Sequence, residues 1–180
     1  GMLQPYSWDK KRFIKNISFY LVERHLLKIC DALIATSVNE LVDLQALNRQ
    51  NFNRKIIHIP EGIHVTDVQL IENKVKSTKT LLFVSRLHPI KGLDLLIESL
   101  SSVNLRGWKC EILGSGDKAY TQELIGLIEK YKLSDVINFQ GLSHGENKIK
   151  AFQNATAFIL PSYSESFGIA IAEAMSWSLP

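Results

Sequence analysis

The sequence predicts an α/β protein built from parts of two Rossmann-like domains with parallel sheets. Three observations carry this expectation. Short apolar runs alternate with segments whose apolar residues recur at helical spacing. Two such series flank a charged stretch without aromatic residues at positions 65–79. The runs end in Ser, Gly or Pro, where strands pass into turns. A parallel crossover needs a helix to carry the chain back, so this alternation favours parallel pairing.

Taken in order, residues 8–29 read as a helix. Phe13, Ile17, Tyr20, Leu21 and Leu27 give it an apolar side, and Lys10, Lys11, Arg12, Lys15 and Arg24 a basic one. Positions 31–36 form a short apolar strand. Ser37-Val38-Asn39-Glu40 then reads as a capping box, Ser37 taking the N3 amide while Glu40 reaches back, and it opens a helix to about residue 47. A strand at 55–59 is broken by Pro60 and Gly62. In the second series, strands are expected at 80–85, 108–113, 136–139 and 157–160. The helix at 93–103 carries the stripe Leu93, Leu96, Ile97 and Leu100, and the one at 119–132 carries Tyr120, Leu124, Leu127, Ile128 and Tyr131. Further helices are expected at 146–153 and after Gly168.

Composition narrows the function classes. With 46% hydrophobic and 22% charged residues among 180, the chain is globular rather than disordered. A net charge of +3 makes no demand for nucleic acid, and no RNA- or DNA-binding motif is present. Cys30 and Cys110 stand singly in apolar runs, as reduced thiols do. No apolar run is long enough to cross a bilayer and no signal peptide opens the chain, so a cytoplasmic location is expected. The cluster Lys10, Lys11, Arg12 and Lys15 reads as a solvated helix face, with weak contact at the inner membrane face as the alternative. His58, His64, His88 and His144 lack metal-ligand spacing, and no metal is expected.

Ligands of open parallel sheets bind at the carboxyl ends of the strands. Arg86 and Lys91 follow one such end, and Gly92 opens the next helix. Two cations beside helix-terminal amides could hold a diphosphate, although alone they also fit a solvated surface. Gly114 and Gly116 close another strand and, with Ala119, complete a G-x-G-x-x-A pattern. The dinucleotide reading of that pattern wants an acid at the end of the following strand. Asp135 comes before that strand, and Gln140-Gly141 closes it.

Glu165 and Glu173 are spaced E-x7-E. On a single helix they would stand about 12 Å apart. That is too far for a retaining glycosidase pair, at roughly 5 Å, and awkward for one shared metal. It suits the two ends of an extended ligand. The amides of Phe167 and Gly168 would open the helix between them, where negative charge is favoured, and glycine there lets a ligand approach the backbone. The structural alternative makes Glu165 a helix-start acid and Glu173 half of an ion pair. Ile169, Ala170, Ala172, Ala174 and Trp177 make Glu173's neighbourhood too apolar for an idle carboxylate.

Together, Ser85-Arg86-Leu87-His88-Pro89-Ile90-Lys91-Gly92, the Gly114-Ser115-Gly116 loop and the Glu165/Glu173 pair resemble the retaining GT-B glycosyltransferases of family 4, glycosyl transferases group 1. Ser85 stands where the family has glycine, and Glu61 of Pro60-Glu61-Gly62-Ile63 where it usually has asparagine. The resemblance implies transfer of a sugar from an NDP-sugar, most plainly a UDP-sugar, to an acceptor hydroxyl with retention, in glycan or cell-surface polysaccharide synthesis. It implies that Arg86 and Lys91 bind the donor phosphates and that Gly114 and Gly116 lie near the nucleotide. Glu165 would be the catalytic contact to the sugar hydroxyls, Glu173 would accept from the ribose, and the Phe167 and Gly168 amides would face phosphate. No cofactor is implied, the NDP-sugar being a substrate; the acceptor would be a glycan or lipid-linked glycan. Residues 1–64 would be the tail of an acceptor-side domain, 65–79 a linker, and 78–180 the first two-thirds of the nucleotide-sugar domain, so that the C-terminal domain is incomplete and the fragment alone inactive. An NAD-binding Rossmann domain and a non-catalytic α/β module, its four charged site residues paired internally, remain open alternatives.

Overall fold

A computed structural model describes residues 21–22, 24–48, 54–63 and 79–180. The basic cluster at 10–15 and the linker expectation, Lys79 excepted, lie outside these residues, as does most of the helix expected at 8–29. The chain divides into two compact units, Gly1–Gly62 with Ser164–Gly168, and Ile63–Tyr163 with Ile169–Pro180.

The first unit contains α1 (Arg24–Ile29), β1 (Ala32–Ala35), α2 (Val38–Asn48) and β2 (Lys55–His58). The strands pair in parallel, from Ala32 opposite Lys55 to Ala35 opposite His58, with α2 as the crossover. Among the described residues Ala35 and Leu44 are its buried apolar side chains. The capping box forms with one change. The Glu40 amide donates to Ser37 Oγ at 3.2 Å as expected. The Glu40 carboxylate, however, accepts from the Thr36 N–H at 2.9 Å and the Thr36 hydroxyl at 2.8 Å, one residue earlier than the reciprocal box requires. The Thr36 backbone donor is the main cause that holds the Glu40 carboxyl below its ordinary pKa.

The second unit contains β3 (Lys79–Val84), a 3-10 turn (Pro89–Lys91), α3 (Leu93–Ser101), β4 (Trp108–Leu113), α4 (Lys118–Lys130), β5 (Ile137–Gly141), α5 (Gly145–Asn154), β6 (Ala157–Phe158) and α6 (Ile169–Ser176). Its strands are all parallel in the order β5-β4-β3-β6. Lys79, expected to end the linker, instead opens β3 opposite Trp108.

Strand alternation sends neighbouring side chains to opposite faces, and each face has its own core. On one side Phe83, Cys110, Ile112 and Ile137 pack with Leu93, Leu96, Ile97 and Leu100 of α3 and Leu124 and Ile128 of α4. The whole expected α3 stripe is buried. On the other side Leu82 and Leu113 pack with Phe152 and Ala155 near α5 and with Ala174 and Trp177 near α6. Phe152 also stacks on Phe158, ring centroids 6.2 Å apart.

Helix α4 stops two residues before the expected end. Lys132 adopts a left-handed φ of 57°, its amide donates to Glu129 O at 3.0 Å, and the Leu133 amide to Ile128 O at 2.9 Å. This is a Schellman ending that no glycine announces. Leu133, buried in the first core, accompanies it.

The chain steps outward from β3 to β4 to β5, then α5 returns it across the sheet to β6 on the other flank of β3. Strand order therefore reverses between β3 and β6. The crevice beyond the carboxyl ends at such a reversal is where open sheets hold ligands.

Candidate functional site

Three loops of the second unit meet at this reversal. The β3 loop is central. Leu87 is buried as its anchor, its amide donates to Ser115 O at 2.9 Å, and it forms a parallel bridge with Gly116. Ser85 N–H donates to Leu113 O at 3.1 Å. With both neighbours tied to the β4 side, Arg86 is held with its side chain exposed.

His88 caps the 3-10 turn, its Nδ1 accepting from the Ile90 amide at 3.2 Å. Lys91 ends the turn half-buried. Gly92, with φ 68°, both closes the turn and opens α3. No side chain caps the α3 N-terminus. Its first-turn amides therefore lie beside Lys91 without the partner that a Ser, Asp or Asn cap would supply.

The β6 loop joins from the other flank. Tyr163 N–H donates to Ile90 O at 2.8 Å, and its hydroxyl to Asp94 Oδ2 at 3.2 Å. A Cβ on Gly92 would lie 2.1 Å from Pro161 O. Glycine there is thus required twice, by φ and by the neighbouring backbone.

The glycines of the β4 loop serve the same packing. A Cβ on Gly114, whose φ is 151°, would lie 1.8 Å from Ser85 O, and one on Gly116 would lie 2.0 Å from Leu87 O. Of the expected site residues, Arg86, Lys91, Gly114 and Gly116 are therefore brought together through the backbone of the β3 and β4 loops.

Glu173 sits in the second turn of α6, and Lys148 of α5 grips its carboxylate, Nζ lying 2.6 Å from Oε1 and 2.8 Å from Oε2. The Lys148 ammonium also lies over the face of Phe152, Nζ 5.9 Å from the ring centroid. Glu165, Phe167 and Gly168 belong to the segment grouped with the first unit. Gly168 is buried with φ 78° just ahead of α6, and Glu165 and Phe167 are half-buried. Helix α6 starts at Ile169, so the two glutamates do not share one helix and the 12 Å axial spacing does not apply.

Lys148 and Tyr163 were not singled out from the sequence, and His88 was considered there only as a metal ligand. Lys148 had a local signal, because it adjoins Ile149 and precedes Phe152 by one turn on the buried flank of α5. A cation there calls for an acid. A separate depression of about 500 Å³ on the α5 face of the sheet is lined by Glu111, Gln140, Asn147 and Lys150 among others, and includes none of the expected site residues. Among the described residues no group of three His, Cys, Asp or Glu side chains could hold a metal ion, and no helix is long and apolar enough to cross a membrane.

The family model described as glycosyl transferases group 1 matches residues 67–180. A D-inositol 3-phosphate glycosyltransferase of Actinosynnema mirum is 29% identical over 176 residues, which is 88% of this chain and 42% of that protein. The Anabaena protein HepE, solved in complex with UDP and glucose, superposes with a TM-score of 0.76 at 21% identity, over 100% of this chain and 50% of that one. The pneumococcal O-GlcNAc transferase GtfA, solved with UDP and GlcNAc, superposes at 0.68 and 22% identity, over 97% of this chain and 32% of that one. The structural likenesses speak for the fold, which is the GT-B class expected from the sequence. The chain spans half or less of the length of each of these relatives. Since the family model covers more than half of the chain, the protein belongs to the glycosyl transferases group 1.

Proposed function

We propose that this chain carries the donor side of a retaining glycosyltransferase that takes its sugar from an NDP-sugar, in the first place a UDP-sugar. The reaction would break the anomeric C–O bond to the diphosphate and form one to an acceptor hydroxyl, in glycan or cell-surface polysaccharide synthesis. Negative charge grows on the departing diphosphate, so fixed cations and amides aimed at it lower the barrier. The observation that carries this reading is the β3 loop. It sets exposed Arg86 and half-buried Lys91 beside the uncapped N-terminus of α3, at the point where strand order reverses.

In this reading Arg86 and Lys91 hold the phosphates, Glu173 accepts from the ribose, and Glu165 contacts the transferred sugar. The Phe167 and Gly168 amides also face phosphate. The NDP-sugar is a substrate, and no further cofactor is assigned. The acceptor would be a glycan or a lipid-linked glycan.

Calorimetry with UDP, GDP, ADP and NAD tests the assignment. UDP should bind, and Lys91→Ala should weaken it about ten- to a hundred-fold, the loss of a charge-assisted hydrogen bond worth about 1.5–3 kcal/mol. The loss should be larger at low salt, where screening is weaker. Glu165→Ala should reduce affinity for the UDP-sugar and leave UDP nearly unchanged. Binding of NAD without UDP, or a UDP affinity indifferent to both Arg86→Ala and Lys91→Ala, overturns the reading.

A further inference from the structure

We propose that the depression between α5 and the β4–β5 half of the sheet is a second binding site, built for one or two units of a neutral saccharide chain. It goes beyond the donor-site reading and uses none of its residues. Its volume of about 500 Å³ lies within the range of small-molecule sites, about 300–1,000 Å³.

The depression exists because of what α5 carries. A helix laid on a sheet ordinarily turns large apolar residues inward at positions i, i+3, i+4 and i+7. One flank of α5 contributes Ile149 and Phe152 to the second core in this way. The flank at Asn147, Lys150, Ala151 and Asn154 has the same spacing, yet it offers two amides, an ammonium and a single methyl. No large apolar side chain on that flank fills the space. Opposite it, alternation along the strands places Thr80, Leu82, Glu111, Leu113 and Gln140 on one face of the sheet. Leu82 and Leu113 are buried and form the floor. Gln140, Asn147, Lys150 and Asn154 are exposed and form an open rim.

The polar groups of the sheet side are arranged in advance. Glu111 Oε1 accepts from the Asn138 side-chain amide at 3.4 Å, and Oε2 accepts from that of Gln140. A carboxylate can only accept, so Gln140 must turn its NH2 toward Glu111, which leaves its carbonyl oxygen as an acceptor. About two of the four or so lone-pair sites of Glu111 also remain.

The lining selects the ligand by elimination. It holds one carboxylate, Glu111, and one ammonium, Lys150. Lys150 is further offset by Glu146, 3.7 Å away. Neither an anion nor a cation is therefore favoured. An apolar ligand, or an apolar helix laid over the depression, would strand the Glu111 and Gln140 groups away from water. A saccharide meets all of these conditions. Its hydroxyls both donate and accept, which matches amides, hydroxyls and a carboxylate, and its C–H surfaces fit Leu82, Leu113 and Ala151. The open rim suits units of a longer chain rather than an engulfed small molecule.

The test titrates the full 15N-labelled chain with maltose, cellobiose, lactose and N,N′-diacetylchitobiose, and separately with inorganic phosphate and spermidine. At least one disaccharide should shift the side-chain amide signals of Asn147, Asn154 and Gln140, with a Kd of about 1–10 mM. Saturating UDP should not displace it. Replacing Asn147 and Asn154 together by alanine, both exposed positions, should weaken that binding about tenfold or more. Ala151→Leu should abolish it by filling the space, and neither change should alter affinity for UDP. The inference is overturned if no disaccharide binds, if UDP displaces the one that does, or if phosphate or spermidine shifts the same amides at lower concentration. Unchanged binding in the double alanine variant overturns it as well. Failure of UDP to bind would sink the donor-site reading and leave this inference standing.

Discussion

Replacing Gly92 by alanine should damage both the fold and the β3 loop that carries Arg86 and Lys91, and its cost can be worked from the structure. Gly92 has φ 68°, a region that costs a residue with a Cβ about 1–2 kcal/mol. The added methyl would also stand 2.1 Å from Pro161 O and 3.0 Å from Pro161 C. Those atoms are backbone and cannot turn aside. The Tyr163 amide pins the same loop to Ile90 O at 2.8 Å. Relieving the overlap means moving the 3-10 turn or the β6 loop, and overpacking of this kind costs about 1–3 kcal/mol more. The sum is about 2–5 kcal/mol.

Gly107 supplies the control, with φ 77° and no atom within 4 Å of its added Cβ. Gly107→Ala should lose only the conformational part, about 1–2 kcal/mol. Any gain from stiffening the unfolded chain is common to both variants and cancels. Urea and thermal melts by circular dichroism should show Gly92→Ala several degrees less stable than Gly107→Ala. UDP affinity should fall in Gly92→Ala alone, since the turn that must move carries Lys91. If the two variants melt together, the contact between the β3 and β6 loops does not constrain the site and this reasoning fails.

Glu40→Ala should destabilise the protein by about 0.5–2 kcal/mol near neutral pH, the range for a lost cap. Because the folded-state pKa of Glu40 is lowered, its contribution is present above the unfolded value and fades as pH falls through the folded one. The difference between variant and parent should therefore narrow as pH falls below the ordinary carboxylate range, and denaturation at neutral and acid pH checks this. Cys110 is buried, and burial pushes its thiol up to about 12, so iodoacetamide should modify half-buried Cys30 in the native protein and leave Cys110 untouched until unfolding. Mass spectrometry with and without urea reads the difference, and rapid native labelling of Cys110 would contradict the core assignment.

What the sequence made legible was periodic or local. The stripe Leu93, Leu96, Ile97 and Leu100 is buried in full because a helix against a sheet must turn one face inward, and that face shows in the spacing. The β4 run from Trp108 to Leu113 is a strand over its whole expected length. The ends of α4 and α6 were not legible. Lys132 and Ser178 take left-handed conformations at C′ with φ 57° and 54°, where glycine would have announced the stop. Each is followed by a leucine whose amide returns to the helix, Leu133 to Ile128 O and Leu179 to Ala174 O. Packing of those leucines offsets the backbone cost, and such packing is tertiary information. The same holds at the site. That Gly92 opens a helix could be read locally, whereas its approach to Pro161 joins segments far apart in the sequence. A lysine on the buried flank of α5 was visible at position 148, but its partner on α6 was not.

The structure also bears on the choice between a dinucleotide site and a nucleotide-sugar site at the Gly114-Ser115-Gly116 loop. A dinucleotide fingerprint uses its glycines so that a pyrophosphate can come close to the backbone. Here that space is filled by protein. The Cβ positions of Gly114 and Gly116 fall 1.8 and 2.0 Å from the carbonyl oxygens of Ser85 and Leu87. The Gly114 amide is already committed to Gly141 O at 2.8 Å. The following strand, β5, ends in Gln140 and Gly141, and Gln140 is engaged with Glu111 rather than aligned as an acidic ribose contact. These glycines are thus accounted for by the passage of the β3 loop across the β4 loop. What that passage delivers to the carboxyl edge of the sheet is Arg86 and Lys91, two cations beside an uncapped helix. The same sequence pattern that suggests a dinucleotide site works here as the support beneath the Arg86–Lys91 loop.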